Sequence, residues 1–160
     1  MLQIIGGGLL LGSFSYFGHY LAGLEGRRVR QMEGFLLLVR HVRTGIVCFA
    51  EPMEEIYRRF ENEALETCGF LPALREGGFA SALHVCRDRL YIGAEEGRAL
   101  AAFAREVGKS YSREQAAVCD YTIGELEAAL RRHQEEAPRR ARAARSLAVC
   151  GGLALLILLL

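Results

Sequence analysis

Neither sign of charge is in excess in this 160-residue sequence, where Lys and Arg number 20 and Asp and Glu 19. A general nucleic-acid binder carries a large basic surplus, so the balance argues against that class. Lysine is nearly missing, with Lys109 alone among the basic residues. We read that as compositional bias without functional weight. No CxxC pair joins any of the five cysteines, Cys48, Cys68, Cys86, Cys119 and Cys150, and their count is odd. A disulfide framework or zinc site would show closer, paired spacing. Each lies among apolar or small residues, which predicts buried thiols in a reducing compartment. No alternating apolar–polar run of useful length occurs, which argues against strands and for an all-α chain.

Charge is also missing from both ends. Met1 to Leu24 holds no acidic or basic residue if His19 is neutral, and Ser146 to Leu160 holds none. At ~1.5 Å rise per residue the first run spans a hydrocarbon layer of ~30 Å. A signal peptide would want positive charge ahead of the run, and none is there. Arg27, Arg28 and Arg30 follow it instead. The expectation is an uncleaved N-terminal transmembrane anchor, residues 1–24, with its start outside and Arg27 in the cytoplasm. The C-terminal run is shorter, at roughly 22 Å. Arg139, Arg140, Arg142 and Arg145 lie on its N-terminal side, and the nearest of them can snorkel toward the headgroups. Both basic flanks assign the intervening residues to the cytoplasm. Gly8 with Gly12, and Gly151 with Gly152, offer small-residue faces for anchor packing.

What lies between reads as helices. Met32, Phe35, Leu36, Val39, Val42, Ile46 and Phe49 recur at three- and four-residue steps, predicting one amphipathic helix over 29–49. Pro52 fits the first turn of a second helix, whose stripe is Met53, Ile56, Tyr57, Phe60 and Ala64. Gly69, Pro72 and Gly77-Gly78 break the pattern. A third helix is expected from about Phe79 to Leu90, and a fourth from Gly93 to Gly108. "SREQ" at Ser112 to Gln115 matches a capping box for a fifth, which Pro138 kinks or ends. The expected architecture is thus a cytoplasmic bundle of about five or six helices, residues 25–138. A basic flank and C-terminal transmembrane anchor, residues 139–160, complete it.

The motifs that suggest chemistry are incomplete. "GKS" at Gly108 to Ser110 has Phe103 where a phosphate-binding loop needs its first Gly, and no strand precedes it. His19, His41, His84 and His133 share no ligand spacing and form no Ser-His-Asp or Cys-His set. Glu51, Glu54, Glu55, Glu61, Glu63 and Glu66 read as solvated helix faces. The chain is therefore expected to be no enzyme, with no cofactor, metal or small-molecule substrate. The rival is a membrane-tethered enzyme acting on lipid or peptidoglycan precursors.

By "RVRQM" at Arg28 to Met32, by Ile46 with Pro52-Met53, by Gly108 with Gln115 and by its Leu-rich tail, taken in order and spacing, the chain resembles the stage III sporulation protein AB family. "RVRQM" at Arg28 to Met32 stands where the family shows Arg-Pro-Arg-Gln and an apolar residue, with Val29 replacing Pro. Ile46 and Pro52-Met53 match an Ile followed by Thr-Pro-Leu, and Gly108 and Gln115 match a Leu-Gly turn followed by Gln. The Gly-containing, Leu-rich tail agrees as well. The departures are Arg43 and Gly45 in place of an acidic pair, Glu51 in place of Thr, and Tyr111 in place of Asp.

The resemblance implies a subunit of the channel apparatus between mother cell and forespore. Its helical bundle would be similar to the cytoplasmic domain of the type II secretion inner-membrane platform protein. It would sit in the mother-cell membrane, with a secretion-type ATPase and neighbouring membrane subunits as partners. A platform subunit of a type II secretion or pilus system outside sporulation is the alternative. The partner surface is expected on Arg30, Glu33, Arg40 and Arg43 of the first helix. Arg27, Arg28, Arg139, Arg140, Arg142 and Arg145 are expected at anionic headgroups.

Overall fold

The first helix sets the architecture, because its apolar residues are buried on more than one face. In the computed structural model, backbone is described for residues 26–108 and 112–159, and side chains for 26–108 and 113–136. Helix α1 covers residues 26–44 and continues as a π-turn, Gly45–Phe49. Met32, Phe35, Leu36, Leu38, Val39, Val42 and Ile46 are all buried. Phe49, expected on the same stripe, is 67% exposed. The π-turn explains the difference. Its wider loop takes up an extra residue and rotates the later side chains off the α-helical register. The segment closes on Ala50 in the left-handed conformation, φ 51°, whose N–H donates to the Gly45 carbonyl.

Helix α2 is Met53–Arg59, with Pro52 at the N-cap; Glu54 and Glu55 in its first turn and Arg58 and Arg59 in its last suit the helix dipole. The sequence stripe ran on to Ala64, but Phe60 is extended at ψ 131° and ends the helix. A separate helix α3, Glu63–Thr67, begins at Asn62, whose side chain accepts from the Leu65 N–H at 3.1 Å. Gly69, φ 82°, turns the chain into α4, Phe70–Val85. Pro72 does not break this helix. It occupies the first turn, where no intrahelical donor is required. Gly78 does break it, at φ 76° and ψ 178°, dividing α4 into two arms. The bend lets Phe70 and Phe79 meet with ring centroids 5.4 Å apart. Phe35 lies against Phe70 at 4.8 Å and Phe79 against Phe103 at 4.9 Å, so an edge-to-face aromatic chain runs through the core.

The expected third helix to Leu90 stops at Val85. A 3₁₀ turn, Arg87–Arg89, and an extended Leu90 come next. Helix α5 is Ala94–Glu106, started by Gly93 and followed by Gly108 at φ 84°, as the glycines suggested. Helix α6 is Ser112–Leu159 and stays helical through Pro138. Gln115, cast as the reciprocal member of a capping box, accepts from the Gly108 N–H at 3.4 Å and ties the preceding turn.

The described residues are all-helical, with no strand among them. The chain divides into two units, one of them Arg27–Arg132 and the other the remaining terminal residues. In the first, α6 runs antiparallel to α1, since Arg40 pairs with Glu127 while Arg43, further along α1, pairs with the earlier Asp120. The segment expected to be an N-terminal anchor, residues 1–24 with Gly8 and Gly12, lies outside the described residues. So do the side chains of Arg139, Arg140, Arg142 and Arg145 and the surroundings of Gly151 and Gly152, whose backbone is helical. Among the described residues no helix is long and apolar enough to cross a membrane.

Candidate functional surfaces

At the start of α1 the side chains split between solvent and the fold. Arg27 and Arg30 are exposed, while Arg28 turns inward. Its Nη2 lies 3.7 Å from Oε1 of Glu96, a carboxylate only 6% exposed in the first turn of α5, and its Nε is buried without a hydrogen-bond partner. Gly93 makes room for this pair, because a Cβ there would strike both the Glu96 carboxylate and the Arg28 guanidinium. Arg28, expected at the headgroups, is paired within the fold and keeps part of its side chain exposed. Buried charge is retained here by pairing.

Gln31, 5% exposed, does the same work with neutral groups. Its Oε1 accepts from the Tyr91 N–H at 2.7 Å and its Nε2 donates to the Arg89 carbonyl at 3.1 Å. One side chain thereby satisfies two backbone groups of the extended segment between the 3₁₀ turn and α5. Arg132, on α6, reaches Glu95 beside Glu96 at 3.2 Å. The first turn of α5 therefore gathers Arg28, near the start of the Arg27–Arg132 unit, and Arg132, its last residue.

The four residues expected to form a partner surface fall into two pairs. Arg30 and Glu33 are exposed. Arg40 and Arg43 hold α1 to α6. Arg40 donates to Glu127 at 2.5 Å, and Arg43 donates to both carboxylate oxygens of Asp120, at 2.5 and 3.2 Å. Hydrogen bonding to Asp120, then its charge, holds the Arg43 guanidinium pKa above its ordinary value. Gly45, the other departure from the family's acidic pair, has an equally local reason. A Cβ there would lie 2.6 Å from Cδ1 and 2.7 Å from Cγ1 of Ile56. No acidic side chain fits at that position with this packing.

Beyond the far end of α1, the π-turn exposes Val47, Cys48 and Phe49, with Phe49 the more open of the two large apolar residues. Sequence reasoning missed this surface, because Phe49 fits the apolar stripe and every cysteine was expected inside. Cys68, Cys86 and Cys119 are buried as expected, and Cys48 is exposed. Burial pushes the Cys68 thiol up and the Cys119 thiol up to about 11, so both stay protonated and unreactive near neutrality. Burial likewise raises the Tyr57 hydroxyl.

The histidines do not converge. His41 has its Nε2 3.2 Å from the Ile56 carbonyl and its ring against Phe60, whereas His84 is exposed. Of the acidic side chains read as solvated, Glu51, Glu55 and Glu66 form ion pairs with Arg59, with Arg58 and Arg59, and with Arg75. Among the described residues no group of three His, Cys, Asp or Glu is placed to hold a metal ion.

The model of the family described as stage III sporulation protein AB matches residues 3–160, essentially the whole chain. That is a family of sporulation proteins and not a known enzyme family. No curated protein and no solved structure matches the chain. Two of the residues that carried the resemblance, Arg28 and Gln31, are the ones that join α1 to the start of α5 and the segment before it. The chain belongs to the stage III sporulation protein AB family.

Proposed function

We propose that this protein is a non-enzymatic platform subunit of the secretion-like channel apparatus between mother cell and forespore. It holds the helical domain at the mother-cell membrane, facing the mother-cell cytoplasm, where it docks a secretion-type ATPase and neighbouring membrane subunits. The observation that supports this reading is the meeting of Arg28 and Arg132 at the first turn of α5. A domain whose two flanks leave from one end can hang from two apolar segments in the same bilayer. The uncharged runs 1–24 and 146–160 supply such segments.

Docking then belongs to the opposite end, where the π-turn presents Val47 and Phe49. Exposed Arg30 and Glu33 lie at the tethered end, and Arg40 and Arg43 are tied to α6. Isolated aromatic and aliphatic side chains surrounded by polar surface are the usual anchors of such contacts. The test is copurification of the full chain, solubilised from membranes, with the ATPase of the same apparatus. Wild type should retain it, and Val47→Asp with Phe49→Asp should lose it without loss of helicity. Retention by the double variant moves docking elsewhere, and no copurification by either chain removes the ATPase as a partner.

A further inference from the structure

We infer that the turn from Val85 to Tyr91 is a second membrane-contacting element, seated on an anionic bilayer surface beside the start of α1. The placement rests on the platform reading, which puts the bilayer at this end of the domain.

Position is the first argument. Gln31 sits one turn after Arg27 and grips the backbone at Arg89 and Tyr91. The turn is thus fixed beside the start of α1, which in sequence follows the uncharged first 24 residues. Composition is the second. Val85 is 68% and Tyr91 39% exposed, and they bracket the exposed Arg87 and Arg89. Tyrosine favours the headgroup level, where its ring is half in hydrocarbon and its hydroxyl wet, and arginine seeks anionic headgroups. Exposed Arg27 and Arg30 add to the same end, so four arginines stand against Glu33, Asp88 and Glu95, the described exposed acids nearby in sequence, and Glu95 is already paired with Arg132.

Backbone satisfaction is the third argument. An unpaired N–H is costly wherever water is scarce. The Cys86 N–H donates to Ala82, Arg89 to Cys86, Leu90 to Arg87 and Tyr91 to the Gln31 side chain. Such a turn can press into an interface without stranding these donors.

The test uses the full chain in vesicles of phosphatidylcholine, with or without phosphatidylglycerol. An environment-sensitive thiol fluorophore is placed at Tyr91→Cys in a chain carrying Cys48→Ser and Cys150→Ser. A control chain carries it on native Cys48, with Cys150→Ser. A headgroup-attached quencher should quench the label at position 91 in vesicles containing phosphatidylglycerol and leave the label on Cys48 bright. Arg87→Glu with Arg89→Glu should abolish that quenching while the chain still floats with the vesicles.

A floating chain whose position 91 is as open to an aqueous quencher as Cys48 overturns the inference and leaves the platform reading standing. Shielding of position 91 from both quenchers assigns the turn to a protein contact instead. A chain that does not float with vesicles overturns the platform reading and this placement together.

Discussion

The Gln31 carboxamide bridges the Arg89 carbonyl and the Tyr91 N–H, across nearly sixty residues of sequence, from a position that is 5% exposed. Gln31→Leu would preserve side-chain volume and leave both backbone groups without this partner. Each buried polar group so stranded costs about 1–3 kcal/mol. We expect Gln31→Leu to lower unfolding stability by about 2 kcal/mol, measured by denaturant titration of the detergent-solubilised chain with far-UV circular dichroism. A change within about 0.5 kcal/mol, the range of ordinary surface substitutions, would show that the bridge is dispensable.

The Arg28–Glu96 pair makes a related but distinguishable demand. Arg28 keeps a quarter of its surface in water, so the penalty for an abandoned buried charge is only partly expressed. Arg28→Met should destabilise by about 1–2 kcal/mol. Adding Glu96→Gln, which removes the charge left behind, should recover part of that. Additive losses in the double variant would mean that the two side chains are not energetically coupled.

Gly45 carries a steric prediction. In an open helix, Gly→Ala gains up to ~1 kcal/mol. Here the new Cβ lies 2.6 Å from Ile56 Cδ1, and overpacking of that kind costs about 1–3 kcal/mol. Gly45→Ala should therefore destabilise, and pairing it with Ile56→Ala, which deletes both Cδ1 and Cγ1, should cost less than the two single losses added together. A stabilising Gly45→Ala would contradict the close approach of α1 to α2.

The buried thiols contribute to the alkaline limit, alongside the buried Tyr57 hydroxyl. The Cys119 thiol is raised by burial from 9.0 to about 11, and Cys68 is raised in the same direction. The unfolded chain releases these protons first as pH rises, so unfolding is favoured increasingly between pH 9 and 11. Stability referable to Cys119 should be full below pH 9 and lost through that window. Cys119→Ala should flatten this part of the profile. An unchanged slope in that variant would place the alkaline loss in other groups.

How much of this was legible beforehand depended on whether the cause was local. The stripe from Met32 to Ile46 is a period-3.6 pattern and reads directly as a buried helix face. The break at Gly77-Gly78 was equally open, because a positive φ favours glycine. Phe49 defeated the same pattern, since a π-turn inserts a residue that periodicity does not reveal. Pro72 was misread because its meaning depends on where its helix starts, and Gly69 sets that start at Phe70, well before the expected Phe79. Asn62 before Glu63 was a cap signal in plain view that the apolar stripe overrode. Arg28 and Gln31 marked the family, but their partners lie some 60 to 70 residues away and belong to tertiary structure alone.

The central claim is that one helical domain hangs in the cytoplasm from two membrane segments, and thiol labelling of intact cells tests it most directly. Cys48 is the natural internal reporter, being exposed while Cys68, Cys86 and Cys119 are buried. It is compared with Gln3→Cys and with a cysteine appended after Leu160, both in a chain carrying Cys48→Ser and Cys150→Ser. The reporting chain for Cys48 carries Cys150→Ser alone. With a membrane-impermeant reagent, the account predicts labelling at both termini in intact cells and labelling of Cys48 only after lysis. Labelling of Cys48 in intact cells would place the domain outside, out of reach of any cytoplasmic ATPase, and would contradict the platform reading.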